Sequence, residues 1–477
     1  MSHETGIAAV SAAGGLRRSL GAFQYLTIAI GCMIGIGWIT VIGDWLARAG
    51  PVGALVGFLG GGAVMAGVAA CYAELMGMMP ASGGDVVFAE RVFGRDVAFF
   101  VGWFLVLMAV SVASFEALSF VWVAGTLAPW LGATPLYSML GETVTAQQVV
   151  LGFGVLGVMY ALNLVGVNAS ARAQDLLTIF KVLVMMVFIG AAIALGDPER
   201  VVAQGLTIAS SGASWLRGAL WIAATCAFWL GGFQVISQAA EERSPQTSLR
   251  SIGIITTGSV GIGLLFYLGV VIAVTSSAPL HDIISAHLPA AFAAQAAFHS
   301  RWGAAMVLLA GMCGIMATLN AMLLSGSRLS LALSRSGFLP PAFGCVGRRG
   351  APVAALTATT ALAAIGVLAG KGLLLPVVDT ASMSLIISYA LVCAAALRLR
   401  RSAPDAPRPF RVPGGVYTVR VTALLVTLMA IYIVIEPALE RRTFPIEWAI
   451  SIAWVVLGVI LWSGRRGVSA MPGSARS

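Results

Sequence analysis

Apolar runs of about 20 residues recur along the whole chain and constrain its fold more than any other feature. A helix of that length is long enough to cross the hydrocarbon core of a bilayer. The 477 residues are 59% hydrophobic and only 10% charged, whereas soluble domains carry about 25% charged residues. We number twelve such runs as segments 1 to 12, at residues 22–46, 52–78, 98–124, 147–166, 171–195, 216–238, 251–275, 303–333, 352–369, 373–397, 416–435 and 446–463. The sequence therefore predicts an all-α polytopic membrane protein with twelve transmembrane helices.

The basic residues are distributed unequally between the two sides that these segments create. Placing both termini in the cytoplasm puts about twenty arginines on the inner side and about seven basic residues on the outer side. This asymmetry follows the positive-inside rule and sets the predicted orientation. The net charge of +9 thus reflects membrane topology, so we expect a lipid bilayer and no nucleic acid as partner. We predict a multi-pass protein of the cytoplasmic (inner) membrane with both termini cytoplasmic.

Side chains that catalyse reactions or hold metals show no recognisable pattern. The six cysteines lie in or beside the segments without paired spacing, which is typical of small apolar residues rather than of a disulfide or metal framework. The sequence contains no His-Glu zinc pattern, paired acidic motif or nucleophile elbow. We therefore expect no metal, no cofactor and no enzymatic activity.

Glycines interrupt segment 1 near its centre, in the stretch Ala29–Ile39. Gly35 and Gly37 flank a single residue, Ile36, and Gly31 lies one turn before them. A break there would expose free N–H groups on one side and free C=O groups on the other, which lipid cannot satisfy. Such backbone is tolerated where it lines an enclosed cavity. The alternative is an unbroken helix whose glycines form a packing face.

Four other stretches carry distinctive groups of residues in a fixed order along the chain. They are Glu74-Leu75, Pro80, Gly83-Gly84 and Phe93-Gly94 between segments 2 and 3; Glu241-Glu242 and Pro245 after segment 6; Arg328–Pro340 at the end of segment 8; and Arg408–Gly414 after segment 10. Together they resemble, in type and order, the motifs of the amino acid–polyamine–organocation (APC) superfamily of transporters. Because the match covers nearly the whole chain, the protein is identified as a member of that superfamily.

This resemblance implies a five-plus-five inverted-repeat fold with discontinuous helices 1 and 6. In relatives, segments 11 and 12 lie outside the repeats and sometimes mediate dimers, so a homodimer is one prediction. The predicted divisions of the chain are a cytoplasmic tail at 1–19, a transporter core at 20–400 with repeats at 20–200 and 215–400, segments 11 and 12 at 415–464, and a cytoplasmic tail at 465–477.

Segment 6 contains a second glycine interruption, in Ala227–Gln234. Two interrupted helices at corresponding places in two halves are the best sequence indication of a transporter's binding site, which favours a broken helix in segment 1. The predicted substrate-binding residues are therefore Ile34, Gly35, Ile36, Gly37, Phe228, Trp229, Leu230, Gly231 and Gly232. Trp229, immediately before the break, is the preferred side chain for the pocket.

The free backbone groups at these breaks match the two ends of an α-amino acid. The N–H groups that begin the outer half of segment 1, at Gly35–Gly37, form the positive end of a helix dipole, where a substrate carboxylate should bind. The carbonyls of Ile30–Ile34, and those freed in segment 6, should accept from the substrate ammonium group. Relatives typically read Gly-Ser-Gly-Ile-Phe here, and Ile36 replaces the serine. The serine hydroxyl is missing, but the backbone contacts do not depend on it.

Lys181 lies within segment 5, ten residues from the predicted cytoplasmic end at residue 171. A charged lysine at that depth is costly unless it is paired or deprotonated. One hypothesis is a structural ammonium group satisfied by backbone carbonyls. The other is a lysine that gains and loses a proton during transport. The resemblance supports the second, because proton-coupled members have a lysine in the place where sodium-coupled relatives bind an ion.

Three further side chains have candidate roles. Glu116 in segment 3 is a candidate proton carrier or counter-charge to an amine, and equally a candidate structural group paired with arginine or hydroxyls. Glu74 at the end of segment 2, and Trp38, are predicted gating or structural residues. Gln234 stands where many relatives have glutamate, so segment 6 supplies no titrating acid. Proton coupling is therefore assigned to Lys181 and Glu116.

These features together predict a permease that imports an amino acid or related small amine by alternating access, coupled to protons. An amino acid/amine exchanger is the first alternative. A non-transporting nutrient sensor, which would keep the same fold, is the second.

Overall fold

The computed structural model describes residues 16–128, 134–139, 142–205, 215–370, 372, 374–440 and 444–465. This part of the chain is predominantly helical. Eleven of its helices are long and apolar enough to cross a membrane, in agreement with an all-α polytopic membrane protein. The two predicted cytoplasmic tails fall almost entirely outside the described residues.

The helices follow the predicted segments closely. Segment 1 forms Ala22–Met33, Gly37–Thr40 and the first part of Ile42–Met78, and the rest of that helix, beyond Gly50, is segment 2. Segments 3 to 5 form Arg95–Leu127, Ala146–Val165 and Val167–Leu195. Segments 6 to 12 form Trp215–Trp229 with Gln234–Gln238, Leu249–Ser277, Arg301–Arg335, Val353–Ala369, Leu374–Ser402, Gly415–Glu440 and Ile446–Arg465. The connections contain the helices Asp85–Phe93, Glu199–Ala203, Leu280–Ser285, Pro289–Phe298 and Pro341–Gly344, the 3-10 turn Ala240–Glu242, and the antiparallel strands Pro135–Met139 and Glu142–Thr145.

Segment 9 forms a short helix, Val353–Ala369, of 17 residues. At 1.5 Å per residue it is about 26 Å long, slightly less than a hydrocarbon core of roughly 30 Å. Twelve crossings and the inverted repeat therefore stay predictions, while the other eleven helices meet the length requirement.

Gly50 and Pro51 turn the chain between segments 1 and 2. Helical hydrogen bonding continues from Ile42 to Met78, but Gly50 has a φ of 66°. Glycine adopts this left-handed conformation without Cβ strain. Pro51 then begins segment 2, as proline commonly does at the first position of a helix.

Gly53, Gly57 and Gly61 stand about one turn apart on one face of segment 2 and let segment 6 approach closely. A Cβ on Gly57 would lie 2.7 Å from the carbonyl oxygen of Ala219, and one on Gly61 would lie 2.6 Å from that of Ala223. Small residues at helix contacts allow close van der Waals packing in a membrane. The first half of the interrupted segment 6 is thus held directly against segment 2.

Segments 3 and 8 are the most deeply buried helices, and segments 11 and 12 are the most exposed. Segment 12 is joined to segment 3 by reciprocal bonds, in which the indole N–H groups of Trp103 and Trp454 donate to each other's carbonyls at 2.8 Å. Segments 3 and 8 pack against each other, and segment 8 also packs against both interrupted helices. The interruptions therefore lie in the interior of the protein.

Candidate functional site

Segments 1 and 6 are both interrupted in the structure. Segment 1 leaves helical geometry after Met33 and resumes at Gly37, and segment 6 does so between Trp229 and Gln234. Gly232 has a φ of 124°, and a Cβ on it would lie 3.0 Å from the backbone nitrogen of Met33. Glycine alone combines this conformation with so close an approach. The two interruptions therefore touch each other at Gly232.

A cavity of about 40 Å³ lies between the interruptions. Six of the nine predicted substrate-binding residues line it, namely Gly35, Gly37, Phe228, Trp229, Gly231 and Gly232. Other segments contribute Met108, Val112, Phe115, Glu116, Tyr267, Thr318, Met322 and Leu385. Of the lining residues that the structure describes, Glu116 alone carries a carboxyl group. Within the described ranges, no group of three His, Cys, Asp or Glu side chains could hold a metal ion.

Ile34, Ile36 and Leu230, the other three predicted binding residues, do not place side chains in the cavity lining. The side chain of Ile36 packs toward Gly311 of segment 8, and that of Leu230 packs toward Gly263 of segment 7. A residue at a break exposes its backbone while its side chain completes the packing of neighbouring helices. Any contact of these three residues with substrate is therefore made by the backbone.

Trp38 is buried against segment 7 rather than beside the cavity. Its side chain is 1% exposed and lies edge-on to Phe266, with ring centroids 5.9 Å apart. Of its two predicted roles, gating and structural, this packing supports the structural one.

The carboxyl group of Glu116 lies at the start of the outer half of segment 1. A Cβ on Gly35 would overlap its Oε1 atom, so the carboxyl group lies directly against the backbone of the interruption, beside Ile36. The side chain is buried, and its Oε2 atom has no hydrogen-bond partner among the described residues. A protein carboxyl group therefore already occupies the amide-lined helix end where a substrate carboxylate is expected.

The ammonium group of Lys181 lies at the other end of the same interruption. It donates to the carbonyls of Gly31 at 2.8 Å and Ile34 at 2.5 Å, and the side chain is buried. A positive charge is favourable at the carbonyl end of a helix. This geometry is what the structural hypothesis requires. It is also compatible with the proton-coupling hypothesis, because Lys181 is buried within the electrostatic range of Glu116.

Other side chains use most of the remaining carbonyls freed in segment 1. Thr318 donates to the carbonyls of Gly31 and Cys32 at 3.1 and 3.3 Å, and Tyr267 donates to that of Met33 at 3.1 Å. These carbonyls were one of the two acceptor sets predicted for a substrate ammonium group. Because protein donors already bind these carbonyls, a substrate ammonium group would find its acceptors chiefly among the carbonyls of segment 6.

Gln234, the first residue of the second half of segment 6, bonds back to the interruption. Its side-chain oxygen accepts from the backbone N–H of Gly232 at 2.7 Å and from the hydroxyl of Tyr389 at 3.0 Å. A neutral amide makes both bonds without titrating. Segment 6 therefore brings no proton site to the cavity.

Three aromatic side chains, those of Phe115, Phe228 and Trp229, separate the cavity from a vestibule of about 240 Å³. The indole N–H of Trp229 donates to Thr225 at 3.2 Å, and its ring lies edge-on to that of Trp45 with centroids 5.1 Å apart. The charged residues Asp44, Arg48, Asp379 and Glu436 line the vestibule. A layer one side chain thick thus closes the cavity on this side.

A thicker layer closes the opposite side. Glu242 forms a bidentate ion pair with Arg328 of segment 8, at 2.7 and 3.1 Å, and both side chains are buried. The carbonyl of Glu242 accepts the backbone N–H groups of Ser19 and Leu20, each at 2.9 Å. The stretch before segment 1, the turn after segment 6 and segment 8 are thereby joined.

Asp85 supplies a second buried carboxyl group to this layer. Gln238 and Ser388 donate to it at 3.2 and 3.1 Å, and the hydroxyl of Tyr72 donates as well. Burial raises the pKa of Asp85 above its ordinary value, and these hydrogen bonds oppose that rise. Sequence reasoning missed Asp85, whose only signal is its position directly after the glycine pair that ends at residue 84.

Glu74, the predicted gating or structural acid of segment 2, joins three elements. It pairs with Arg400 of segment 10 at 2.5 Å and with Arg408 at 3.3 Å, and it accepts the backbone N–H of Val412 at 2.8 Å. These contacts hold one end of segment 2 to the end of segment 10 and the start of segment 11.

Gly37→Ala is expected to reduce substrate uptake about tenfold, because the added methyl group would overlap the Trp229 ring. Overpacking of this kind costs about 1–3 kcal/mol, and a tenfold change corresponds to about 1.4 kcal/mol. Gly190→Ala in segment 5 is the matched control, since a Cβ there meets nothing within 4 Å. Uptake into proteoliposomes measures both variants, and equal uptake would contradict this role of Gly37.

Comparison with known proteins matches the chain to amino acid transporters over nearly its whole length. The family described as amino acid permease matches residues 20–461. The branched-chain amino acid permease BcaP of Bacillus subtilis (strain 168) is 27% identical over 96% of this chain and 94% of its own. From the same organism, the glutamate/serine transporter AimA is 28% identical (84% of this chain, 74% of its own) and the aspartate-proton symporter is 25% identical (85% and 77%). On this match the chain belongs to the amino acid permease family of the APC superfamily, whose members are membrane transporters rather than enzymes.

Proposed function

We propose that this permease imports an amino acid or related small amine across the cytoplasmic membrane by proton-coupled alternating access. The main support is the position of Glu116 and Lys181 at the two ends of the segment 1 interruption. Glu116 places a carboxyl group at the end of the interruption where backbone amides are free, and Lys181 places an ammonium group at the end where carbonyls are free. Two titratable groups thus flank the backbone expected to hold the substrate.

Glu116 competes with a substrate carboxylate for the same backbone amides. If Glu116 is ionised, two carboxylates share one helix end, and like charges about 4 Å apart repel by about 4 kcal/mol at an effective dielectric constant of about 20. A proton on Glu116 removes that repulsion. Substrate therefore binds together with a proton, and opening of the cavity to the cytoplasm releases both.

Lys181 controls the inner half of segment 1 in this scheme. Its charged form donates to two carbonyls at the interruption. A neutral amine is a weaker donor and no longer balances the negative end of the helix dipole. Loss of the proton therefore frees the inner half of segment 1 to move, as alternating access around a fixed site requires.

The unequal layers around the cavity support alternating access. With both termini in the cytoplasm, the vestibule faces outward behind a thin aromatic layer. The inner side is closed by the Glu242–Arg328 pair and the hydrogen bonds of Asp85. This arrangement corresponds to a state that has closed its inner side and is nearly open to the outside.

The cavity lining supports a substrate with an uncharged, apolar side chain. Met108, Val112, Phe115, Met322 and Leu385 supply most of the side-chain wall. An anionic substrate side chain would lose its hydration there without gaining a partner, because Glu116 is the one described lining residue that carries a charge and its charge is negative. Relatives are named for both branched-chain and acidic amino acids, and the apolar wall favours the branched-chain class for this permease.

Lys181→Ala is expected to abolish accumulation driven by an inward proton gradient, while exchange of labelled for unlabelled substrate continues. A thermal-shift screen of the twenty amino acids and common amines first identifies a ligand, since a ligand that binds the folded state raises its stability. Uptake and exchange are then measured in proteoliposomes. Thr178→Val is the matched control, because Thr178 also donates to segment 1, at the Thr27 carbonyl at 3.2 Å, but carries no charge.

Accumulation by Lys181→Ala at the wild-type level would refute the coupling role of this lysine. Wild-type uptake that requires internal substrate at every pH would identify an exchanger. Failure to move any of the twenty amino acids or common amines, including a compound that binds in the screen, would favour a nutrient sensor.

A further inference from the structure

A groove of about 510 Å³ lies between segments 2, 7 and 11 on the surface that faces lipid. Its lining extends from Val412 and Tyr417 at one end to Gly60 and Leu425 at the other, with Thr257 on segment 7. The eight steps along the helix from Tyr417 to Leu425 rise about 12 Å, close to half of a hydrocarbon core of roughly 30 Å. The groove therefore has about the length of the acyl region of one leaflet.

Segments 2 and 11 form this groove because they touch at one level and separate at another. A Cβ on Gly67 would overlap Oγ1 of Thr422, so the helices are in contact there. Gly60 lies two turns away on the same face of segment 2, about 10.5 Å along the helix. A Cβ on Gly60 meets nothing within 4 Å. The space between the helices thus opens from Gly67 toward Gly60.

Polar contacts hold the wall of the groove in place at the end that Val412 and Tyr417 line. The backbone N–H of Val412, a lining residue, donates to Glu74 at 2.8 Å, and Glu74 is itself paired with Arg400. The lining is otherwise mainly glycine, alanine, valine, leucine and threonine. An apolar groove with fixed walls at membrane depth is filled by hydrocarbon, because the bilayer core supplies no water.

Two arginines stand at this end of the groove. Arg411 directly precedes Val412, and Arg250 stands seven residues before Thr257, two turns along the same face of segment 7. Both side chains are exposed, and within the described ranges neither has a hydrogen-bond or ion-pair partner. Basic residues beside a groove between transmembrane helices attract anionic lipid headgroups, and guanidinium groups bind phosphate in a bidentate geometry.

We propose that this groove binds one acyl chain of an anionic phospholipid, with the lipid phosphate between Arg250 and Arg411. The apolar walls hold the chain, and the two unpaired guanidinium groups select the net negative headgroup. A zwitterionic lipid fills the same walls, but its own cationic group opposes the arginines. The bound lipid would connect segment 11 to segments 2 and 7, and this site does not depend on what the permease transports.

Native mass spectrometry of the purified full chain tests the site by titration with phosphatidylglycerol or phosphatidylcholine that carry the same acyl chains. The wild type is expected to bind phosphatidylglycerol about tenfold more tightly, and Arg250→Gln with Arg411→Gln should remove that preference. Gly60→Leu, which fills the open end, should weaken binding of both lipids. Gly157→Leu in segment 4 is the matched control, because it also adds a side chain where a Cβ meets nothing within 4 Å.

Equal binding of the two lipids by the wild type would overturn the proposal. Equal lipid binding by Gly60→Leu and Gly157→Leu would overturn it as well, since both variants add the same side chain to an open surface. A wild-type dimer that Gly60→Leu dissociates would assign the groove to a second copy of the chain instead.

Discussion

Glu116→Gln is expected to make substrate binding independent of pH and to abolish accumulation driven by a proton gradient. In the wild type, binding should tighten as the pH falls, because protonation removes the negative charge that faces the substrate carboxylate. Glutamine has nearly the same shape and stays neutral at every pH. At alkaline pH the variant should therefore bind substrate about tenfold more tightly than the wild type does.

The surroundings of Glu116 set the size of this effect. The titratable groups that face it are Lys181, Cys32 and Tyr267, and of these three Lys181 alone carries a positive charge. Lys181 is present in both the wild type and the variant, so its attraction for the substrate carboxylate does not contribute to the difference between them. That difference is the repulsion from ionised Glu116, about 4 kcal/mol for charges about 4 Å apart at an effective dielectric constant of about 20, and about 1.4 kcal/mol is already enough for a tenfold change in affinity.

Isothermal titration calorimetry at acidic and alkaline pH measures the affinity, and proteoliposomes with and without a proton gradient measure accumulation. Thr318→Val is the matched control, because Thr318 also lies beside Gly35 and lines the cavity but does not titrate. It should lower the affinity equally at both pH values. If binding to Glu116→Gln still tightens as the pH falls, the proton site lies elsewhere.

The positions of the helices and of their interruptions could be predicted from the sequence. Length and apolar composition decide which runs cross a bilayer, and glycines at mid-depth mark the backbone that leaves a helix. The predicted break at Gly35–Gly37 lies within one or two residues of the observed one. Two alternatives for Lys181 were open, and its bonds to Gly31 and Ile34 fit both of them.

The faces of the helices could not be predicted. Segment 3 is apolar on all sides, so its sequence does not indicate that Glu116 points at Gly35 rather than at another helix. The same holds for Thr318, because its place in the sequence of segment 8 does not reveal that its partners are freed carbonyls of segment 1. In a soluble protein a polar stripe would orient each helix. Here long-range packing decides the orientation of each helix. The role of a single residue such as Asp85 can therefore be recognised only when the packing is known.

Arg328→Met is expected to open the side of the protein that is closed by Glu242 and Arg328. The change leaves the carboxylate of Glu242, which is fully buried, without its bidentate partner. Removing one member of a buried ion pair costs about 3–5 kcal/mol, because the remaining charge is uncompensated. A conformation in which water reaches Glu242 avoids that cost, so the equilibrium shifts toward it.

Arg335→Met is the matched control, because Arg335 forms a similar pair with Glu241 at 2.6 Å. The difference is exposure, since those side chains are 39% and 26% exposed. An exposed ion pair contributes only about 0–1 kcal/mol. The same chemical change should therefore leave the conformational equilibrium nearly unchanged when it is made at Arg335.

Labelling of Ser82→Cys by a charged maleimide measures the opening, in a background that replaces the exposed Cys345 by serine. Ser82 is buried in the same layer and donates to the carbonyl of Gln238 at 3.3 Å. Labelling should be at least about tenfold faster with Arg328→Met than with Arg335→Met. Adding Glu242→Gln to Arg328→Met removes the uncompensated charge and should restore slow labelling. If labelling stays fast in that double variant, the layer is held closed by the packing of Arg328 and not by its charge.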